Sequence, residues 1–408
     1  MAMDLVQQTL LWAFLIALVV GAIANKTNFC TMGAVSDCVN TGDSGRMRAW
    51  VFAIASAITA VALLETWGQV DLSLVEQGDT GKPPYTAPQF TWLRYILGGL
   101  LFGIGMTLGS GCGNKTLVRI GGGNLKSIFV FLVMGAGAYL MIYTDFGFYT
   151  FLQWMPTMDF TDYAIPSQGI DAILLHGLPL GVENPQNAKL IIALIIAVAL
   201  FIWCFKSVDF YKSVDNIVGG TVIGIAVAAA WYITAGPHGQ ELLEEAPFLD
   251  QVPYDVGAQS LTFVKPSGHF YYWIREGFAS QYLSFALVAA SGIIIGSFIY
   301  AIFTKAFRIE WFASMKDFVN HFIGGLLMGI GGVLSLGCTF GQAISGASTL
   351  ALGALLTFIF IVLGAATTMK VSYYKLLYGD EASFPKALLA ALADLKLIPA
   401  KWRQLEAI

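Results

Sequence analysis

Nine apolar stretches, at about 8–24, 49–64, 93–108, 127–143, 189–205, 217–236, 281–303, 321–336 and 349–369, recur along the chain. Each is continuous rather than alternating, which reads as helix rather than strand. A helix needs about 20 apolar residues to cross a bilayer, and in lipid the backbone must satisfy its own N–H and C=O groups. Composition agrees: of 408 residues, 57% are hydrophobic and only 12% charged, against about 25% charged in a soluble domain. So little charge cannot cover a surface facing water. The fold class is therefore all-α, a polytopic integral membrane protein of about nine transmembrane helices with the lipid bilayer as its solvent.

Charge sets the orientation. If the connections alternate sides and the N-terminus lies outside, the outer side receives Lys82, Arg94, Lys189, Lys265 and Arg275, and the inner side the other 17 of the 22 basic residues. The outer side also holds 16 of the 26 acidic residues, among them Glu241, Glu244 and Glu245. This is a strong positive-inside bias. It predicts nine spans, with the N-terminus outside and the C-terminus on the cytoplasmic side. The run Leu10–Ala24 lacks the basic start of a cleavable signal and reads as a retained first span. No basic tract suggests nucleic acid.

Residues 98–112 (GGLLFGIGMTLGSGC) and 324–338 (GGLLMGIGGVLSLGC) match without a gap at ten of 15 positions, at an offset of 226. By the charge argument the first copy runs inward and the second outward. The odd span, the fifth, inverts the second half, so spans 1–4 and 6–9 form inverted-topology repeats, an arrangement found in transporters with discontinuous, re-entrant helices. The expected organisation is a first membrane repeat (1–143), an outside loop plus linking span 5 (144–216), a second, inverted repeat with a long outside loop at 237–280 (217–370), and a cytoplasmic amphipathic tail (371–408) with a helix over Lys386–Leu397. Trp154, Phe160, Tyr163, Tyr271, Tyr272 and Trp273 are expected at the membrane interface. The spacings Gly99–Gly103 and Gly325–Gly329 point to close helix packing.

Three segments depart from plain spanning sequence: Asn28 to Gly33 around Cys30, Gly109 to Thr116 around Cys112, and Ser335 to Gln342 around Cys338. Each puts a thiol where an apolar helix breaks into glycine and small polar residues. Irregular backbone at membrane depth is tolerated where it is buried in protein or lines a cavity. Short helices after Cys112 and Cys338 would turn their N–H groups toward an anion, with Asn114, Thr116, Thr339 and Gln342 as neutral polar partners. Lys115 and Arg119 read either as positive-inside residues or as a lure for an anion at the inner mouth. Cys204, in unbroken apolar sequence, reads as a small buried hydrophobe. Cys38 reads as lying near a surface turn, and Glu65 as an interface residue. Five scattered cysteines and four distant histidines give neither a disulfide framework nor a metal site.

At these motifs (Asn28-Phe29-Cys30, the GxGxxLxxGCG pattern at 103–113 and the GIGGxxxxGC pattern at 329–338) the chain resembles the YeeE/YedE family of bacterial sulfur transporters. The resemblance implies thiosulfate uptake across the inner membrane, the anion passing between thiols through S–H hydrogen bonds without large domain motion. Carried over by motif, the substrate-binding thiols are Cys30, Cys112 and Cys338, with Asn114, Lys115, Thr116, Thr339 and Gln342 beside them. The charge-based orientation orders the path inward as Cys338, Cys112, Cys30. The family also implies a small cytoplasmic sulfur-carrier protein as partner. No cofactor, metal or catalytic residue is expected, and the protein reads as a non-enzyme. Two other readings stand beside this one: a membrane-embedded sulfurtransferase or thiol redox enzyme, and a transporter of a sulfur-free small anion.

Overall fold

A computed structural model describes residues 4–75, 85–177, 185–249 and 251–406; Lys82, expected on the outer side, and positions 178–184 of the connection at 144–188 lie outside the described residues. Among the described residues nine helices are long and apolar enough to cross a membrane. They are span 1 (Leu5–Lys26), span 2 (Gly45–Thr66), span 3 (Trp92–Leu108), span 4 (Leu125–Tyr143), span 5 (Pro185–Phe205), span 6 (Val214–Ala235), span 7 (Phe285–Phe303), span 8 (Met315–Leu334) and span 9 (Leu352–Tyr378). Five begin on a side chain that accepts from an otherwise unpaired backbone N–H: Asp4, Asn124, Ser213, Ser284 and Ser314 cap spans 1, 4, 6, 7 and 8.

Contacts between connections sort them onto two ends, as alternating spans require. At one end, Lys26 faces Asp215 at 3.9 Å, Lys126 pairs with Asp317 at 2.8 Å, and Leu125 N donates to the Glu310 carbonyl at 3.0 Å. This is the basic end. At the other, Glu65 pairs with Lys189 at 2.7 Å, Thr9 meets His238 at 2.9 Å, and Asp71 N donates to the Ala235 carbonyl at 3.0 Å. Glu65 is therefore an ion-pair partner that ties span 2 to span 5.

Span 3 packs against spans 8 and 9, and span 8 also against span 4; span 1 packs on span 7, and span 2 on span 6. Span 5 lies outside this core on span 2, exposing Ile191, Ile195, Val198 and Ile202 along one lipid-facing stripe. Glycine makes the closest approaches. A Cβ at Gly103 would overlap the Ile361 carbonyl oxygen and stand 2.9 Å from Ala365 N; a Cβ at Gly329 would overlap the Met134 carbonyl oxygen and stand 2.9 Å from Ala138 N. The GxxxG positions thus serve packing.

The structure revises three expectations. Cys38 lies not in a turn but inside a ten-residue helix, Thr31–Asn40, which starts at Cys30. The connection at 237–280 is not simply an outer loop: between the helices Pro237–Glu245 and Lys265–Arg275, residues 257–264 are buried throughout. Phe160 is buried rather than exposed, packing on Phe90 at 5.6 Å between ring centroids. The tail forms a helix over Phe384–Asp394, slightly earlier than expected, with Ala387, Ala390 and Ala391 buried in a cluster with Val371 and Tyr374 of span 9.

Candidate functional site

All three singled-out thiols sit in one local construction. Spans 1, 3 and 8 each end in a residue with left-handed backbone: Asn28 (φ 49°), Ser110 (φ 58°) and Leu336 (φ 64°). The next N–H, of Phe29, Gly111 or Gly337, folds back onto the carbonyl of Ala24, Met106 or Gly332 at 3.0, 2.9 or 2.7 Å. This closes the span by satisfying an orphan carbonyl. The cysteine follows at once. Cys30 and Cys112 are extended N-caps of Thr31–Asn40 and of Gly113–Gly121, and Cys338 opens a turn running into 341–349. A left-handed Leu336 costs on the order of 1–2 kcal/mol, the kind of strain that concentrates at functional positions.

The sulfurs occupy the place of a capping oxygen. Gly33 N donates to Cys30 Sγ and Gly341 N to Cys338 Sγ, both at 3.4 Å. A thiol that accepts on sulfur in this way keeps its own hydrogen free to donate. Cys112 and Cys338 are wholly buried and Cys30 is 3% exposed.

The first two thiols are neighbours. Cys30 and Cys112 lie within each other's electrostatic reach, and Thr31 Oγ1, next to Cys30, lies 4.0 Å from Cys112 Sγ. Asn114 reaches the Phe29 carbonyl at 3.4 Å, and Lys115 hydrogen-bonds Asn28. Thr116 bonds back to the Cys112 carbonyl at 3.1 Å, so its hydroxyl holds the turn. Arg119 donates to the Ser110 carbonyl at 2.5 Å and braces the same break. Cys338 is linked through its neighbour: Thr339 faces Cys112, yet its hydroxyl has no partner in hydrogen-bond geometry among the described residues. Gln342 folds onto the Ser335 carbonyl at 2.5 Å. Cys204 and Cys38 stand apart; the Cys204 thiol donates to the Arg48 carbonyl at 3.3 Å.

Several neighbours were not legible in the sequence. Thr262, in the buried stretch 257–264, lies 3.9 Å from Cys338 Sγ, and Tyr85 donates to the Gly341 carbonyl at 2.8 Å. Phe29, Trp50, Phe340 and Phe263 form an aromatic wall from Cys30 toward Cys338, at successive ring separations of 4.5, 6.2 and 4.9 Å. The one available signal was that 257–264 carries no charge, although the connection around it does.

Buried polar groups are nearly always hydrogen-bonded, so the exceptions here are informative. Thr339 Oγ1, Asn114 Oδ1, Gln342 Oε1 and Trp50 Nε1 are all buried without a partner among the described residues. Thr339 and Trp50 can donate to an anion; the two amide oxygens can accept from a thiol.

Recesses approach the thiols from both ends. At the basic end, one lined by Thr27, Arg46, Trp50 and Asp215 reaches Cys30. At the opposite end, a cavity of about 80 Å³ lined by Thr262, Lys265, Gly332 and Gly337 adjoins Cys338. There Lys265 pairs with the almost fully buried Asp255 at 2.7 Å. Removing one member of a buried pair strands the other charge, at about 3 kcal/mol or more. Lys265→Ala is expected to lower the Tm of the purified protein, and a further Asp255→Asn to recover most of the loss. An unchanged Tm in Lys265→Ala would show that the pair has no stabilising role.

The profile of a family described as Sulphur transport matches residues 26–367 of this chain, which include all three thiols. A thiosulfate transporter TsuA of Spirochaeta thermophila is 25% identical over 366 residues, covering 87% of this chain and 97% of that protein. A thiosulfate transporter TsuA of Escherichia coli is 22% identical over 367 residues, covering 87% of this chain and 92% of that protein.

Proposed function

The chain belongs to the Sulphur transport family, and on that premise we propose that it carries thiosulfate into a bacterial cell, handing the anion from Cys338 through Cys112 to Cys30. The observation that carries this reading is the shared construction at the three thiols, a closed span followed at once by a buried cysteine, with the sulfurs of Cys30 and Cys338 already engaged by an N–H. Thiol hydrogens left free in this way suit a soft terminal sulfur. They bind it weakly enough to let go, as conduction requires. A thiolate would repel a dianion, so the relay runs on protonated cysteines. Thr339 and Trp50 supply donors between the Cys338 layer and the Cys30–Cys112 pair, while Asn114, Lys115, Thr116 and Gln342 hold the breaks in shape.

The basic end faces the cytoplasm, the opposite end the periplasm, and the bilayer is the inner membrane. A cytoplasmic sulfur-carrier protein collects the anion at the basic end. The halves 1–143 and 217–370 are inverted copies. Packing supports this: exchanging spans 1–4 with 6–9 turns the pair 1–7 into 6–2 and the pair 3–9 into 8–4, all four of them in contact. Local detail supports it too. A Cβ at Gly105 would meet the Gly324 carbonyl oxygen at 2.8 Å and Met328 N at 2.8 Å, and one at Gly331 would meet the Gly98 carbonyl oxygen at 2.7 Å and Phe102 N at 2.6 Å. Every residue in the second set is the first shifted by 226 positions.

The nearness of Cys30 and Cys112 favours one second reading, a dithiol redox enzyme. One experiment separates the two. Proteoliposomes containing the protein are expected to accumulate radiolabelled thiosulfate that is recovered chemically intact. Recovery of the label as sulfide or sulfite would replace transport with enzymatic chemistry, and no accumulation would remove thiosulfate as the substrate.

A further inference from the structure

The largest cavity described, about 930 Å³, lies away from the thiols, between spans 3, 8 and 9 and the tail helix Phe384–Asp394. Its walls divide sharply by chemistry. Span 3 contributes Leu100, Ile104 and Leu108, one stripe at four-residue spacing running toward the basic end. At that end the lining turns polar. Lys316 and Asn320, one turn apart on span 8, face Ser372 and Lys375 near the end of span 9.

The two lysines are distinctive for having no carboxylate partner among the described residues. Around them Lys126 is paired with Asp317 at 2.8 Å, and Lys370 with Asp394 at 3.7 Å. Lys316 and Lys375 have no carboxylate partner among the described residues; Lys375 meets only the ring face of Phe384, at 5.3 Å. Among the described residues, two ammonium groups without a carboxylate partner therefore stand at the mouth of an apolar cleft, near the basic ends of spans 8 and 9.

The tail helix forms a fixed wall. Asp394 accepts from Tyr374 at 2.8 Å and is ion-paired to Arg403 as well as Lys370. The alanine face of the helix is spent on span 9, which leaves Leu388 and Leu392 to line the cavity. An amphipathic helix held in this way lies in the plane of the membrane surface with its apolar side toward acyl chains.

We propose that this cavity is a binding site for one anionic phospholipid, with its acyl chains along the Leu100–Leu108 stripe and its phosphate between Lys316 and Lys375. Charge complementarity selects this occupant. A second copy of the chain would fill the apolar cleft without a counter-charge for the two ammonium groups, and a zwitterionic lipid brings its own ammonium beside its phosphate and so no net negative charge. Each basic residue near a membrane surface contributes about 1 kcal/mol toward anionic lipid, so the pair is expected to favour it by about 30-fold over a neutral one. The phosphate would also tie span 8 to span 9, the spans that flank the Cys338 break.

The test is thermal unfolding of the full chain in an uncharged detergent supplemented with phosphatidylglycerol, phosphatidylcholine or inorganic phosphate. Phosphatidylglycerol alone is expected to raise Tm by several degrees, and native mass spectrometry to retain one such lipid per chain. The double variant Lys316→Gln/Lys375→Gln is expected to lose the shift while keeping its baseline Tm, and Lys316→Arg/Lys375→Arg to keep it. An equal rise with phosphatidylcholine, a rise with inorganic phosphate alone, a lipid-independent dimer that buries Ile104, or a Gln/Gln variant that responds like wild type would each overturn the proposal.

Discussion

Cys112→Ala is expected to reduce thiosulfate uptake by about 100-fold at unchanged protein level. Cys112 lies at the centre of the three-thiol arrangement, beside Cys30 on one side and facing Thr339, the neighbour of Cys338, on the other. Its side chain is wholly buried, so water cannot stand in for the missing donor at that depth without opening the packing. A hydrogen bond to a charged group is worth about 1.5–3 kcal/mol, and about 1.4 kcal/mol is a factor of ten in rate. Loss of the central donor therefore costs one to two orders of magnitude. Cys338→Ala should act similarly at the entrance. Cys30→Ala and Cys338→Ala carry a second penalty, because the Gly33 and Gly341 N–H groups lose their acceptors. Cys112→Ser should fall between wild type and alanine, since its hydroxyl donates but is shorter and matched to oxygen. Cys38→Ala and Cys204→Ala are the controls and should transport normally. Wild-type rates in both Cys112→Ala and Cys338→Ala would dismiss the thiol relay and leave the aromatic wall and backbone as the path.

What the sequence made legible follows from the range over which each signal acts. The nine spans were visible because lipid demands long continuous apolar runs, and their alternation because lysine and arginine collect at one end. The three thiols stood out because each sits where an apolar run breaks into glycine and small polar residues, and two of them end the duplicated segment. The helix Thr31–Asn40 escaped notice because ten residues with Ser36, Asp37 and Asn40 carry no clear periodicity. The left-handed residues closing spans 1, 3 and 8 escaped because Asn28, Ser110 and Leu336 hold positions where glycine is the usual marker. Thr262 and Trp50 were invisible for a different reason. Their part in the site exists only through contact with segments far away in the chain, and a threonine in a loop or a tryptophan in a span says nothing of that alone.

Gly103→Leu and Gly329→Leu are the second pair of variants with large expected effects, and their value lies in being compared. The two glycines occupy the same place in the duplicated 15-residue segment. At Gly103 a side chain would drive span 3 off the span 9 backbone at Ile361 and Ala365; at Gly329 it would drive span 8 off the span 4 backbone at Met134 and Ala138. Extra methylenes in a packed core cost about 1–3 kcal/mol when side chains can yield. Here the obstacle is a carbonyl oxygen of a neighbouring helix, so a whole span must move and the cost exceeds that range. Each variant is expected to lose most of its folded protein, read as the monodisperse fraction recovered in detergent. Gly122→Ala, whose Cβ would meet nothing closer than 3.4 Å, should behave as wild type. If the halves are inverted copies, the two leucine variants fail to the same degree, because spans 4 and 9 play the same part toward spans 8 and 3. Tolerance of leucine at one position and collapse at the other would mean that the sequence duplication no longer has a structural counterpart.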